Sequence, residues 1–445
     1  MTDPIAAAVA RSKAICEIAV GSGVLAGVAA FVRRHIGDAP VIVVADENTF
    51  AAAGREVFER LEADGFRIER LVLPAKPRPK PTVALATEIA GALGEATPLA
   101  VGSGVLNDVV KYAAFLKDRR YLCIPTAASM DGYSSAGAPL SDAGFKKTIA
   151  ARAPVAILAD LAVVAAAPAE MSGWGYGDLS GKVPAGGDWI VADALGIEPI
   201  DDVAWPLVQD NLGAWLADPA GVHAGDPGAI EALFVGLTLS GLAMEFHGSS
   251  RPASGADHQI AHMWEMEGLS RDGEPVSHGA CVAIGTLATL DLYDWLLGED
   301  LTRLDADAVV AAAKTMPDKR AEMSRRLSPA LAERAEAETA AKHLAPAAHR
   351  ERLATIAAAW PALRERLAAH MLRADDLRRL LAAAGTPTRP QEIGIDTPRF
   401  LDTIRAARFI RSRYTVLDLI DETGLLEPAL ASLLKHAGAS AGTRP

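Results

Sequence analysis

Along the first 165 positions apolar residues come in short, continuous runs separated by amphipathic stretches. Residues 41–45 (V-I-V-V-A) form one such run, ending at Asp46. Residues 51–65 follow with helical spacing and a closing glycine, and 67–73 read as the next strand. The connector 74–81 (P-A-K-P-R-P-K-P) must stay extended, because each proline restricts its own φ and the residue before it. A helical stretch at 83–93, a strand at 99–101, glycines at 102 and 104, a helix to 115 and a strand at 121–124 continue the alternation. Such spacing predicts βαβ units and a mostly parallel sheet. Past residue 165 longer helical patterns take over, at 229–246, 257–267, 278–297 and 306–314, and alanine, leucine and arginine at helical spacing run nearly to the end. The expected architecture is an α/β domain over residues 1–165 and an all-helical domain over 166–445, with residues 438–445 as a disordered tail.

Composition narrows the class. With 445 residues, 50% hydrophobic and 22% charged, the chain can bury one or two full cores. A net charge of −12 argues against nucleic acid as the main partner. The charge is uneven: residues 301–445 carry 23 basic and 18 acidic side chains, against 21 and 38 in residues 1–300. Three distant cysteines, Cys16, Cys123 and Cys281, without C-x-x-C spacing, fit a reducing, cytoplasmic setting. No stretch reaches the roughly 18 uninterrupted apolar residues of a membrane span. The nearest, residues 155–168, is broken by Asp160 and reads as a buried strand with its flank.

Three constellations carry chemistry. The first is 101–111 (V-G-S-G-V-L-N-D-V-V-K), where a strand turns into a helix: glycines let backbone approach a phosphate, and the helix N-terminus offers N–H groups to it. Position 107 is Asn, so this is not G-x-G-x-x-G, and a simple tight turn explains the glycines equally well. Asp108 and Lys111 read as an exposed pair on that helix. The second is 124–135 (I-P-T-A-A-S-M-D-G-Y-S-S), a hydroxyl-rich loop after a strand, at the sheet end where open α/β folds bind ligands. The third is the strongest. His258 and His262 stand one helical turn apart on one face, His278 follows sixteen residues later, and Asp178 sits in G-W-G-Y-G-D. Four of ten histidines, His247 included, fall within 32 residues. Imidazoles with one carboxylate suit a borderline divalent ion with a coordination position left for substrate oxygen. Buried, hydrogen-bonded histidines are the alternative. Residue 259 is Gln, which removes the metalloprotease reading.

Taken in order, G-S-G-x-x-x-D-x-x-K, P-T-A-x-S-M-D-G-Y-x-S, G-x-G-D, S-R-P-A-S-G-x-x-H-x-x-x-H and a later H-G resemble the sn-glycerol-1-phosphate dehydrogenases, in the iron-containing alcohol dehydrogenase and dehydroquinate synthase-like superfamily. The likeness spans residues 15–300; beyond that only helical character is shared. It implies a Rossmann-like nucleotide-binding domain before a helical metal-binding domain, and an NAD(P)- and metal-dependent dehydrogenase interconverting dihydroxyacetone phosphate and sn-glycerol 1-phosphate. Asp178, His258 and His278 are then the metal ligands, with Zn²⁺ foremost and Fe²⁺ or Ni²⁺ as alternatives. His262 becomes a substrate contact and proton relay, with Asp131 a second catalytic and substrate contact and Asp178 also touching substrate. Gly102, Ser103, Gly104, Val105, Leu106, Thr126, Ala127, Ala128, Ser129 and Ser135 become contacts to NAD or NADP.

Two further expectations rest on the residues themselves. Asp46, ending its strand, is placed on the adenine ribose, and Lys146, Lys147, Arg152 and especially Arg251 are cations for the substrate phosphate. A small phosphorylated substrate, no nucleic acid, no membrane span and a homo-oligomer complete the expectation. The rival readings are another metal-dependent alcohol, polyol or sugar-phosphate dehydrogenase, a dehydroquinate synthase-like lyase, and a non-catalytic nucleotide- or metal-binding module. The basic segment 301–445 has no assigned role.

Overall fold

The computed structural model describes residues 4–142 and 145–437, apart from the side chains of 145–147 and 435–437. The tail expected at 438–445 lies outside the described residues. Six parallel strands form one sheet: β1 (Glu17–Gly21), β2 (Val41–Asp46), β3 (Ile68–Leu73), β4 (Thr97–Gly102), β5 (Leu122–Pro125) and β8 (Ala156–Asp160), in the order β1-β8-β5-β4-β2-β3. Every residue of β2, β5 and β8 is buried. A strand covered on both faces has no polar side, which is why these segments read as unbroken apolar runs. Val41, Val43, Leu99, Val101 and Ile124 pack with Phe31, Val57 and Leu61 of the flanking helices in one core.

The chain passes from β2 to β3 in one direction and then to β4 on the other side of β2. This reversal opens a crevice beyond the carboxyl ends of β2 and β4, the usual ligand position in open α/β sheets. Asp46 and Gly102, the last residues of those strands, stand at its two sides.

Three elements departed from the sequence pattern. β1 is a short, half-buried edge strand without a strong apolar run. β6 (Gly137–Asp142) and β7 (Phe145–Ala150) form a separate antiparallel hairpin between β5 and β8. The G-W-G-Y-G-D segment, unpromising for helix because glycine is costly there, lies within the helix Ala169–Ser180. One described helix, Pro227–His247, is long and apolar enough to cross a membrane by length and composition, although polar residues such as Glu231, Thr238 and Ser240 interrupt its apolar run. Two thirds of its most apolar window (67%) is buried within the protein, as for a core helix.

By compactness the chain separates into two units. The first comprises the chain to Leu179 with Pro206–Ser249 and Ala383–Gly385; the second comprises Ser180–Trp205, Ser250–Ala382 and the chain from Thr386 onward. The second is helical and contains the helices Lys182–Ala194, Ala256–Met266 and His278–Leu296.

Candidate active site

In the first unit, β4 ends at Gly102 and the helix Gly104–Leu116 begins two residues later, with Ser103 as its N-cap. No side chain caps this end, so its first N–H groups are available to an anion. A Cβ on Gly102 would strike Leu106, and one on Gly104 would strike Met130, so the glycines are required by close packing at this turn. Val105 is half-buried and Leu106 buried. Asp46, by contrast, is occupied locally: its Oδ1 accepts the Thr49 N–H at 2.8 Å in a capping box.

Beside this turn runs the loop 126–137. Thr126 N–H donates to Gly102 O at 3.2 Å, and the Tyr133 hydroxyl donates to Ala127 O at 2.8 Å. Ala128 is buried, Ser129 half-buried, and the Ser135 hydroxyl donates to Gly132 O at 3.1 Å. Lys111, expected at the surface, is wholly buried, and Asp108 is buried too. The Lys111 ammonium donates to Gly132 O at 2.7 Å and Gly137 O at 2.9 Å, and lies 3.5 Å from Asp108 Oδ1. Burial lowers its pKa, and Asp108 opposes that shift. The expected surface pair is thus an internal brace for the loop: a buried ammonium must satisfy its protons with carbonyls where water cannot.

The same loop meets Asp178. The Asp131 N–H donates to Asp178 Oδ2 at 3.0 Å, Asp131 being half-buried and Asp178 fully buried. The glycine-bearing helix can approach because Gly175 has no side chain; a Cβ there would overlap the Ala128 carbonyl. This contact accounts for a glycine inside a helix.

In the second unit three imidazoles converge. His258 and His262 lie in the helix Ala256–Met266, and His278 opens the helix His278–Leu296 with Ser277 as its N-cap. A two-residue turn, Asp272 at φ 53° and Gly273 at φ 85°, joins a short ribbon and reverses the chain between the helices. Their backbones come close where Gly285 faces the Asp257 carbonyl, with no room for a Cβ. Ring centroids are 5.8 Å apart for His258–His262, 5.4 Å for His258–His278 and 5.7 Å for His262–His278. His247, the fourth of the sequence cluster, is the last residue of its own helix, with Nδ1 2.9 Å from Ser249 Oγ.

Each proposed imidazole ligand has a carboxylate on Nδ1: Asp257 Oδ2 lies 2.5 Å from His258 Nδ1, and Glu265 Oε1 lies 2.7 Å from His278 Nδ1. Carboxylates at Nδ1 fix the tautomer and orientation and leave Nε2 for an ion. The His258 and His278 donor atoms are within 4.8 Å of each other, a separation one ion can span at ordinary Zn–N lengths. The donor set therefore fits a divalent metal. His262 is depressed well below the usual histidine range by burial, with Arg411, His278 and His258 adding to the shift and Glu265 opposing it. It is a neutral imidazole near pH 7.

Arg251 requires a correction. It is 0% exposed, with Nη1 donating to Tyr414 O at 3.0 Å, Nη2 to Asp188 O at 3.1 Å and Nε 3.2 Å from Glu198. Its guanidinium ties the fold together and presents no surface to a phosphate. Arg152 is exposed and paired with Asp118 at 2.5 Å. The side chains of Lys146 and Lys147 lie outside the described residues. Sequence reasoning did not find the roles of Asp257, Glu265 and Lys111. Lys111, three residues after Asp108 on one helix, carried a spacing signal for a pair though not for its burial, whereas the contact of Glu265 with His278 spans thirteen residues and leaves no local signal.

Residues 19–168 match the family model described as iron-containing alcohol dehydrogenase. The chain is 30% identical over 418 residues to a glycerol-1-phosphate dehydrogenase (NAD(P)+) of Bacillus velezensis, covering 92% of each chain. It is 33% identical over 309 residues to the glycerol-1-phosphate dehydrogenase of Bacillus subtilis, covering 68% of this chain and 78% of that one. Among solved structures, glycerol dehydrogenase from Schizosaccharomyces pombe superposes with a TM-score of 0.61 at 16% identity, over 97% of this chain and 93% of the other.

Proposed function

The chain belongs to the glycerol-1-phosphate dehydrogenase family, and from that premise we propose that it interconverts dihydroxyacetone phosphate and sn-glycerol 1-phosphate by hydride transfer with NAD or NADP, in the cytoplasm. The observation that carries the reading is the cluster of His258, His262 and His278, with carboxylates on two Nδ1 atoms. In this proposal residues within 1–165 hold the dinucleotide, residues within 166–445 hold the metal, and both regions contribute substrate contacts. Gly102 to Leu106 receive the pyrophosphate at the helix N-terminus, Thr126 to Ser129 and Ser135 flank the nicotinamide half, and Asp46 faces the adenine ribose.

His258 and His278, with the Asp178 carboxylate as the third ligand, would hold a divalent ion, zinc foremost. When bound, that ion supplies a Lewis acid for the substrate carbonyl oxygen. His262, neutral near pH 7, passes its N–H proton toward that oxygen while its other nitrogen takes one from water, so it relays without resting as a cation. Asp131 hydrogen-bonds a substrate hydroxyl. With Arg251 committed inside the fold, Lys146, Lys147 and Arg152 carry the assignment of the substrate phosphate.

Following NADH absorbance with dihydroxyacetone phosphate, dihydroxyacetone, simple aldehydes and, in reverse, glycerol tests the substrate. The phosphate ester should exceed the others by more than about 100-fold in kcat/KM, because a paired phosphate is worth several kcal/mol. Turnover of an unphosphorylated alcohol or aldehyde without turnover of the ester would instead make the chain a polyol or alcohol dehydrogenase.

A further inference from the structure

A carboxylate outside the proposed ligand set links the two histidine-bearing helices. Asp188 lies in the helix Lys182–Ala194 and is 0% exposed. Its Oδ2 accepts the N–H of Ala256, the first residue of the helix carrying His258 and His262, at 2.7 Å. Its Oδ1 accepts the Tyr293 hydroxyl at 2.6 Å, and Tyr293 lies on the helix that begins at His278. The same oxygen accepts the Val416 N–H at 2.8 Å, at the start of the helix Val416–Glu422. Gly255 leaves no room for a Cβ against Asp188 Oδ2, so the histidine helix starts in direct contact with the carboxylate.

We infer that Asp188 is a positioning residue for the metal centre: by holding Ala256 and Tyr293 on one carboxylate it fixes the relative setting of His258 and His278. Ala256 is two residues from His258, so a shift of the helix start moves that imidazole with little loss along the rigid helix. Tyr293 fixes the second helix along its axis. A buried carboxylate accepting three hydrogen bonds is costly to disturb, because an amide in its place presents an N–H₂ donor to donors. The segment around Val416 thereby acquires a role in a tail that carries no sequence motif: its backbone is the third partner of the same carboxylate.

The inference rests on the reading that the imidazole cluster binds a divalent ion, and one titration separates the two. The full chain, stripped with a chelator, is titrated with Co²⁺ alone and followed by its visible absorption, for the unaltered protein, Asp188→Asn and Tyr293→Phe. The unaltered protein should bind one ion, Asp188→Asn about 10–100-fold more weakly, and Tyr293→Phe severalfold more weakly, with an altered Co²⁺ spectrum in both. No binding to the unaltered protein overturns the metal reading itself. Parental affinity and spectrum in folded variants, whatever their melting temperature, would leave Asp188 a purely structural group and overturn the inference. Should Asp188→Asn not fold, Tyr293→Phe decides alone, since it removes one hydroxyl and keeps the ring.

Discussion

Gly175 shows how one missing side chain shapes a site. Its bare Cα lets the helix Ala169–Ser180 lie against the Ala128 carbonyl, and that approach accompanies the hydrogen bond from Asp131 N–H to Asp178 Oδ2. Gly175→Ala is helix-friendly by propensity and should nevertheless destabilise the protein by about 1–3 kcal/mol, because the added methyl overpacks a rigid contact. Titrating NADH and recording thermal unfolding on the same variant should show weaker cofactor binding together with a lower Tm. A stabilised variant with unchanged binding would show that the loop does not depend on this approach. At this scale the sequence exposed residue types well and their surroundings poorly. The histidines, Asp178 and the glycine turns were visible as spacing. Lys111 and Arg251 read as surface cations because burial of a charge depends on carbonyls and carboxylates contributed from distant positions, Gly132 and Gly137 for one, Tyr414 and Asp188 for the other.

Elements followed the apolar pattern where one principle dominated. Doubly covered strands such as β2 and long helices such as Pro227–His247 came out near their expected limits, whereas the edge strand β1 is half-buried throughout and β6 buries only Ala138 and Leu140, too short an apolar alternation to mark either strand. The helices after residue 300 were legible as helices and silent as to purpose. Among them, Val416–Glu422 ends on a half-buried carboxyl that accepts the Tyr414 hydroxyl at 2.7 Å, with Arg352 at 3.7 Å. Burial pushes Glu422 up to about 7, while Tyr414 and Arg352 pull it back. A carboxyl raised on folding makes the folded chain hold its proton more tightly than the unfolded chain between about 4.5 and 7. Its contribution is therefore full below about 4.5 and is lost as pH rises through 7. Glu422→Gln, which keeps an oxygen for Tyr414, should unfold about 2–4 °C higher than the unaltered chain at pH 8, the gap closing toward pH 4.5. A gap independent of pH would mean that Glu422 does not titrate in this range.

For the molecule as a whole, bulk charge was a poor guide to ligands. The acidic residues 1–300 contain every group assigned here to dinucleotide, metal and substrate, two of which are or carry phosphates. Anion binding at such a surface falls to helix N–H groups and a few placed cations, and the acidic excess matters chiefly where single carboxylates, Asp257 and Glu265, orient imidazoles. The basic segment 301–445 reaches the second unit's polar interior through Val416 and Tyr414, which is why its role could not be read from motifs confined to residues 15–300. The central claim is that His258 and His278 hold a divalent ion on which reduction of dihydroxyacetone phosphate depends. Bound-metal content and NADH-dependent turnover, measured on one preparation each of the unaltered chain and His258→Ala, test it most directly. One ion per chain and turnover in the first, with metal lost and turnover down more than about 100-fold in the second, is the predicted result; a folded His258→Ala protein that keeps both would contradict it.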